Sequence, residues 1–267
     1  MIKFLKPEKI DLVISQFFSD YFEKAKYTKA FVAISGGVDS ATIAYLSTKI
    51  LGEDNVIAAF FPSSITSNES REFYNLVIDM LNIKNHYEIS IDKFMKPYLE
   101  LDESLNENNP KSKLRKGNIM ARIRMILSYD IAAKHDALVV GTENKTEFLL
   151  GYSTQWGDSA AALHPMGDIY KTEVFNYARF LGVPEKIVNR IPTAELWDNQ
   201  TDEQEIGLKY RNIDEILIYL FEQRLSKDEI IKLGYKKEEI ERVENLVNRS
   251  EYKRRLPQAA LFEEFRI

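Results

Sequence analysis

The 267-residue chain contains no cysteine. That absence removes disulfides, thiolate metal sites and every cysteine nucleophile from the chemistry open to it. No Gly-Lys-Ser or Gly-Lys-Thr triplet occurs either, which excludes the common phosphate loop with its lysine. Histidine is scarce: His86, His135 and His164 are the only three, none at a metal-ligand spacing, and each reads as a surface or packing residue. No apolar run approaches the ~20 residues that span a bilayer, and the opening MIKFLKP lacks the apolar core of a secretory signal. A cytoplasmic protein with no membrane partner is expected. On that expectation the Asn-x-Ser/Thr triplets at Asn68, Asn144, Asn199 and Asn248 are chance matches. A basic excess is also missing: 36 Lys and Arg stand against 41 Asp and Glu, which argues against a nucleic-acid partner.

What is present has the composition of a globular chain, 45% hydrophobic and 29% charged, long enough for one sizeable domain over residues 1–267. Ile10, Val13, Ile14, Phe17, Phe18, Tyr21 and Phe22 recur at helical spacing after Pro7 and predict an amphipathic helix over 8–25. Short apolar strands at 30–34, 56–61, 86–91 and 137–140 alternate with helices at about 39–51, 68–81, 91–101 and 118–134. The last of these helices is read with Ile119, Ile123, Ile126, Leu127 and Ile131 on its buried face. Residues 102–116, poor in apolar side chains, read as a mobile surface loop. Beyond residue 171 the chain reads as mainly helical. Strands this apolar between helices predict an α/β fold: a parallel twisted sheet with helices on both faces and a mainly helical C-terminal part.

The most informative segment is Ser35-Gly36-Gly37-Val38-Asp39-Ser40, between the strand Ala30–Ile34 and the helix that follows. Two glycines let the backbone turn tightly with its N–H groups inward, two hydroxyls add donors, and a helix N-terminus adds partial positive charge. Asp39 stands where the lysine of the better-known loop is missing and suits Mg²⁺ on bound phosphates. In isolation a glycine pair before Asp-Ser is a turn and an N-cap. In strand–turn–helix context the full hexapeptide resembles the signature of ATP pyrophosphatases, which place AMP on a substrate oxygen.

Further runs are weaker singly. Within Lys116-Gly117-Asn118-Ile119-Met120-Ala121-Arg122-Ile123-Arg124, Asn118 and Arg122 share a helix face, while Arg122 and Arg124 project about 200° apart, so one of the two at most is expected at a shared site. Gly141-Thr142-Glu143-Asn144-Lys145-Thr146-Glu147 follows a buried strand; Asn144 with Glu147 fits a capping box, and Glu147 equally suits a second Mg²⁺ carboxylate. Lys171 stands at a loop-to-helix junction, and Pro192-Thr193-Ala194-Glu195-Leu196-Trp197 precedes the acidic run 199–205.

Taken in order, SGGVDS, KGNxxARIRM, GTxNKxExLLGY, PxGDIYKTEV, PTAELW and QTDEQEIG strongly resemble ammonia-dependent NAD synthetases, from about residue 28 to the Tyr252–Pro257 tail. The resemblance implies a Rossmann-like, adenine nucleotide alpha hydrolase-like fold. It implies ATP-dependent amidation of deamido-NAD through an adenylated carboxylate, with ammonia as nitrogen donor and Mg²⁺ as cofactor, in a chain that is usually a homodimer. By the same resemblance Ala33, Ile34, Ser35, Gly36, Gly37, Val38, Asp39 and Ser40 hold ATP, joined by Thr142, Lys171 and Thr193. Asp39 and Glu147 are the metal carboxylates and, with Lys171, the catalytic set. Arg122, Gln155, Tyr252 and Lys253 match positions that grip deamido-NAD. The pattern departs in three places: Gln155 and Ala162 align with a lysine and an aspartate of well-known bacterial members, and Tyr252 with a histidine. The readings left beside it are the ATP-cleaving subunit of a split GMP synthetase, a tRNA-modifying ligase, and a nucleotide-binding regulator without turnover. Several tRNA-directed relatives of the loop depend on cysteines, which this chain lacks.

Overall fold

Four short strands, β1 (Lys29–Ala33), β2 (Val56–Phe60), β3 (Asn85–Glu88) and β4 (Ala137–Val139), pair in the order β3-β2-β1-β4. Every pairing is parallel, with Phe31 of β1 opposite both Ile57 of β2 and Val139 of β4. The structure, a computed structural model, describes residues 2–193, 195–197 and 200–260. Helices α1 (Pro7–Ala25), α2 (Val38–Leu51), α3 (Asn68–Leu81), α4 (Asp92–Leu101) and α5 (Pro110–Lys134) come between or before the strands. After β4 the chain is helical: α6 (Lys145–Leu150), α7 (Lys171–Leu181), α8 (Glu185–Val188), α9 (Asp202–Ile206), α10 (Tyr210–Leu217), α11 (Lys227–Lys232) and α12 (Lys237–Arg249).

The two-residue period of the strands divides the interior. Ala30, Val32, Val56, Ala58 and Phe60 pack with Phe18, Phe22, Leu46, Val77 and Tyr177 from α1, α2, α3 and α7. Phe31, Ile57, Ala59 and Val139 point to the other face and meet Met95 of α4 with Met120, Ile123 and Ile131 of α5. Both faces are therefore covered, as the unbroken apolar strands require. A separate core of Leu150, Tyr170, Ile213, Leu217, Val243 and Val247 holds the C-terminal helices around α6 and α10.

Three expectations change. The segment 102–116 is not a loop: it forms a 3₁₀ turn, Glu103–Asn106, and the first turns of α5. Asn109 caps α5 by accepting from Ser112 N, and Pro110 occupies the first helical turn, so the helix starts eight residues before the apolar pattern does. Polar residues opened the helix because its first turns rest on Asp102 and Ser104 through Arg115 rather than on the core. On α5 the buried stripe is rotated from the expected one, since Ile126 is 60% exposed while Met120, Ala121 and Ala132 are inside. On α1, Ile10, Ile14, Phe18 and Phe22 are buried but Val13 and Phe17 face outward.

Candidate active site

β1 delivers the chain to the carboxyl edge of the sheet, where residues 35–37 turn and α2 begins at Val38. Gly36 has φ +84°, and a Cβ there would lie 2.6 Å from the Ser70 carbonyl oxygen, so the turn requires glycine twice over. The two serines brace the loop from within. Ser40 Oγ accepts from Ser35 N at 3.1 Å and donates to the Gly37 carbonyl at 3.0 Å, and Ser35 Oγ accepts from Gly37 N at 3.3 Å. The result is a fixed concavity at the N-terminus of a 14-residue helix, which favours an anion.

Beside it, β4 leads into α6, whose Asn144 accepts from Glu147 N at 3.1 Å and completes the expected capping box. The cap and the site are one arrangement, because Asn144 Nδ2 also donates to Asp39 Oδ1 at 2.9 Å. Lys171, the first residue of α7, is only 2% exposed and places its ammonium between Asp39 and Glu147, 3.0 Å from Glu147 Oε1. Burial works to lower the Lys171 pKa, but the Asp39 and Glu147 carboxylates outweigh it and hold the amine charged. Burial pushes the Glu147 carboxyl up.

A cavity of about 590 Å³ opens along the phosphate loop, joined by a smaller one of about 150 Å³. Ser35, Gly37, Ser40, Thr142 and Thr193 line both. Ala33 and Ile34 line the larger, and Val38, Asp39, Glu147 and Lys171 the smaller. Gly36 lines neither; its part is the turn. Arg122, Gln155, Tyr252 and Lys253 all border the larger cavity. Arg122 Nη2 donates to the Gln155 carbonyl at 3.1 Å, and Lys253 Nζ ties the C-terminal 3₁₀ turn to the carbonyls of Gly151 and Ser153 at 2.8 and 2.7 Å. Arg124 borders this cavity as well, donating to the Phe61 carbonyl from a half-buried position. The expected exclusion of one arginine by the other therefore fails: the cavity wraps around α5 far enough to meet both. Ala162 lies outside both cavities, and its carbonyl accepts from Tyr21 Oη at 2.6 Å.

The structure adds residues that no motif singled out. Arg190 lines both cavities and spans the Gly36 carbonyl, Ser67, Ser70, Glu69 and Glu195. Glu195, at φ +47°, accepts from Ser67 and Ser70 at 2.7 and 2.8 Å, and its N–H donates to Thr193 Oγ1 at 3.1 Å. Its side chain was legible only as one letter of PTAELW, and Arg190 not at all. Ala194, Asp198 and Asn199 of that stretch lie outside the described residues. Behind the wall, burial lifts Glu143 to about 7, opposed by a Ser153 hydrogen bond; burial also raises Asp158, which lines both cavities. Within the acidic run 199–205, Asp202 is buried and takes the Tyr210 hydroxyl at 2.9 Å and that of Tyr152 at 3.2 Å.

Residues 12–257 match the family model described as NAD synthase. The NH(3)-dependent NAD(+) synthetase of Fusobacterium nucleatum is 42% identical over 242 residues, 91% of either chain. Among solved structures, the NMN synthetase of Francisella tularensis superposes with a TM-score of 0.82 at 31% identity, covering 97% of this chain and all of that one. The NH3-dependent NAD synthetase of Campylobacter jejuni superposes with a TM-score of 0.78 at 28% identity, over 96% of this chain and all of that one. With the match running through the phosphate loop, the Lys171 cluster and the C-terminal turn alike, the chain belongs to the NAD synthase family.

Proposed function

We propose that this chain is an ammonia-dependent ligase that uses ATP to amidate deamido-NAD, giving NAD, AMP and pyrophosphate. The observation that carries the reading is a phosphate loop facing the Asp39–Lys171–Glu147 cluster, beside a cavity large enough for a nucleotide. A nicotinate carboxylate oxygen attacks the ATP α-phosphorus, the bond from that phosphorus to the β-phosphate bridging oxygen breaks, and pyrophosphate leaves. Ammonia then attacks the acyl carbon, the C–O bond to AMP breaks, and the nitrogen loses a proton. Neither step takes a side-chain nucleophile. In both, the residues must let anions approach one another: the N–H groups of the loop and the Lys171 ammonium offset the charge on the leaving pyrophosphate. Holding both substrates in one cavity supplies the remainder by positioning.

Mg²⁺ fits the donor set. Asp39 and Glu147 already converge on a cation, the Lys171 ammonium. Among the described residues no cluster of three or more His, Cys, Asp or Glu forms a complete metal cage. Two carboxylates completed by phosphate oxygens and water suit Mg²⁺ in particular. Bound there, the ion would neutralise charge on the β- and γ-phosphates. Thr142 and Thr193 are proposed ATP contacts with residues 33–40. Arg122, Gln155, Tyr252 and Lys253 are proposed deamido-NAD contacts, because they border the same cavity beyond the loop.

The test is incubation with ATP, Mg²⁺, ammonium and deamido-NAD, reading NAD and AMP in equal amounts. AMP release only with xanthosine monophosphate would replace this reading by a GMP-forming one. A second reading has its own support: the substrate could be the smaller nicotinate mononucleotide. The Francisella NMN synthetase is 31% identical along the full length, and the lysine and aspartate expected for deamido-NAD are Gln155 and Ala162 here. A higher kcat/KM on the mononucleotide than on the dinucleotide would select it.

The chain is further proposed to act as a homodimer in the cytoplasm, where both nucleotide substrates are made. Among the described residues no helix is long and apolar enough to cross a membrane. The α1 stripe gives little support for a partner, since Ile10, Ile14, Phe18 and Phe22 are core. Support for a partner comes instead from α4 and α5, where Phe94, Tyr98 and Leu101, and Ile126 and Tyr129, are exposed.

A further inference from the structure

Asp214 of α10 is completely buried, yet its carboxylate takes all its hydrogen bonds from hydroxyls and a backbone N–H. Oδ1 accepts from Thr146 Oγ1 at 2.5 Å; Oδ2 accepts from Thr172 N at 2.8 Å and from Thr172 Oγ1 at 2.6 Å. No salt bridge joins it to a cation among the described residues. A buried carboxylate without a cation costs stability that packing alone would never ask for, so its position needs a reason.

The reason lies in its partners. Thr146 immediately precedes Glu147 in the first turn of α6, and Thr172 immediately follows Lys171 in the first turn of α7. Thr146 Oγ1 gives its proton to Asp214 and accepts from Lys171 N at 2.9 Å. The first two N–H groups of α7 are thus satisfied from outside the helix, one by α6 and one by α10. Two functional side chains on two separate helices are registered by a single carboxylate on a third. The negative charge also sits at the N-terminus of α7, where the helix dipole favours it.

We propose that Asp214 is a positioning residue, which through Thr146 and Thr172 fixes the Glu147 carboxylate and the Lys171 ammonium against Asp39. The inference rests on the functional reading above and deepens it. The Asp39–Lys171–Glu147 geometry is set by hydrogen bonds of 2.5 to 3.0 Å, and a shift of about 1 Å at such a site costs about a hundredfold in rate. Asp214 lines neither cavity; it acts through the starts of two helices.

Thr146→Val keeps the shape of the side chain and removes the hydroxyl that links Asp214 to Lys171 N, while Thr146→Ser keeps the hydroxyl. Asp214→Asn keeps the shape but turns one acceptor into a donor facing the hydroxyl of Thr146. The expected result is a kcat at least about tenfold lower for Thr146→Val and Asp214→Asn, an ATP KM changed far less, and return toward wild type in Thr146→Ser. Mn²⁺ binding in the presence of a non-hydrolysable ATP analogue, read by electron paramagnetic resonance, should weaken in the same two variants and recover in Thr146→Ser. If Asp214→Asn fails to fold, the two Thr146 variants decide the matter alone. Wild-type kcat and Mn²⁺ affinity in Thr146→Val would overturn the proposal, as would equal losses in Thr146→Val and Thr146→Ser. Should the wild-type protein make no NAD, the functional reading falls, and the Mn²⁺ series still decides whether Asp214 sets the site.

Discussion

Lys171 shares one buried ammonium between Asp39 and Glu147, and the sharing governs what substitution does. Asp39→Asn or Glu147→Gln removes one carboxylate and leaves the other on the lysine. Each is expected to fold and to lose about a hundredfold or more in kcat, read against a melting curve. The double variant leaves buried Lys171 with no ion-paired carboxylate, Asp202 alone acting on it from further off, and should lose about 3–5 kcal/mol of stability, more than the two singles combined, by urea denaturation. Additive small losses would mean the ion pairs contribute nothing. Glu143 makes the opposite case. Burial lifts its carboxyl from the ordinary 4.5 to about 7, so the folded chain holds that proton more tightly than the unfolded one. Its burden on stability is absent below about pH 4.5 and complete above about pH 7, about 3 kcal/mol at full size. Glu143→Gln should therefore gain on wild type as pH rises from 5 to 7.5; parallel stability curves would contradict the assignment. The residues of the loop and Glu147 were legible because their motif strings follow the strands β1 and β4; Lys171 was legible only through its place in the PxGDIYKTEV run of the family resemblance. Arg190 and Asp214 were not, since, Glu195 beside Arg190 apart, their partners are 120 to 154 and 42 to 68 residues away in the chain, and no local pattern encodes such a contact.

At the scale of elements, apolar periodicity located β1, β2, α2 and α3 to within a residue, because those elements lie in the core and every second or third side chain must be apolar. The start of α5 escaped the same test. Its first turns are polar and owe their existence to a cap and to Arg115 rather than to burial. Asn109-Pro110 followed by Ser112 is itself a start signal, an Asx cap with proline in the first turn, which a reading by apolar content alone passes over. Asn109→Ala should cost about 1 kcal/mol and increase hydrogen exchange over residues 110–116, while leaving the distal half of α5 unchanged. Exchange that is already fast in the wild type would restore the loop reading of this stretch. The C-terminal helices α9 to α12 were foreseen only as helical. Their arrangement depends on a core shared with α6 and on Tyr152 and Tyr210 meeting at Asp202, none of which has a period.

For the whole molecule, the unresolved matter of the sequence is the use of surface on α4 and α5. Arg122, Ile126 and Tyr129 follow one another at i, i+4 and i+7 on α5, a single exposed stripe. Arg122 also borders the larger cavity, so whatever covers this stripe lies close to the proposed deamido-NAD contacts. Exposed Ile126 and Tyr129 of α5, with Phe94, Tyr98 and Leu101 of the neighbouring helix α4, the last 81% exposed, are the kind of apolar side chains that a second copy buries. If two copies meet there, the two-fold axis brings α5 against its own equivalent, and a charge placed on the stripe is repeated opposite itself. Ile126→Glu should then convert a species of twice the chain's 31.0 kDa into one of that mass by light scattering, with the melting temperature of the monomer measured separately. Tyr129→Lys alone should disrupt it too, whereas Ile126→Glu mixed with Tyr129→Lys should recover part of the dimer as a heterodimer, because unlike charges then face each other across the axis. A wild-type protein that sediments as a monomer at every concentration would leave α4 and α5 without that role.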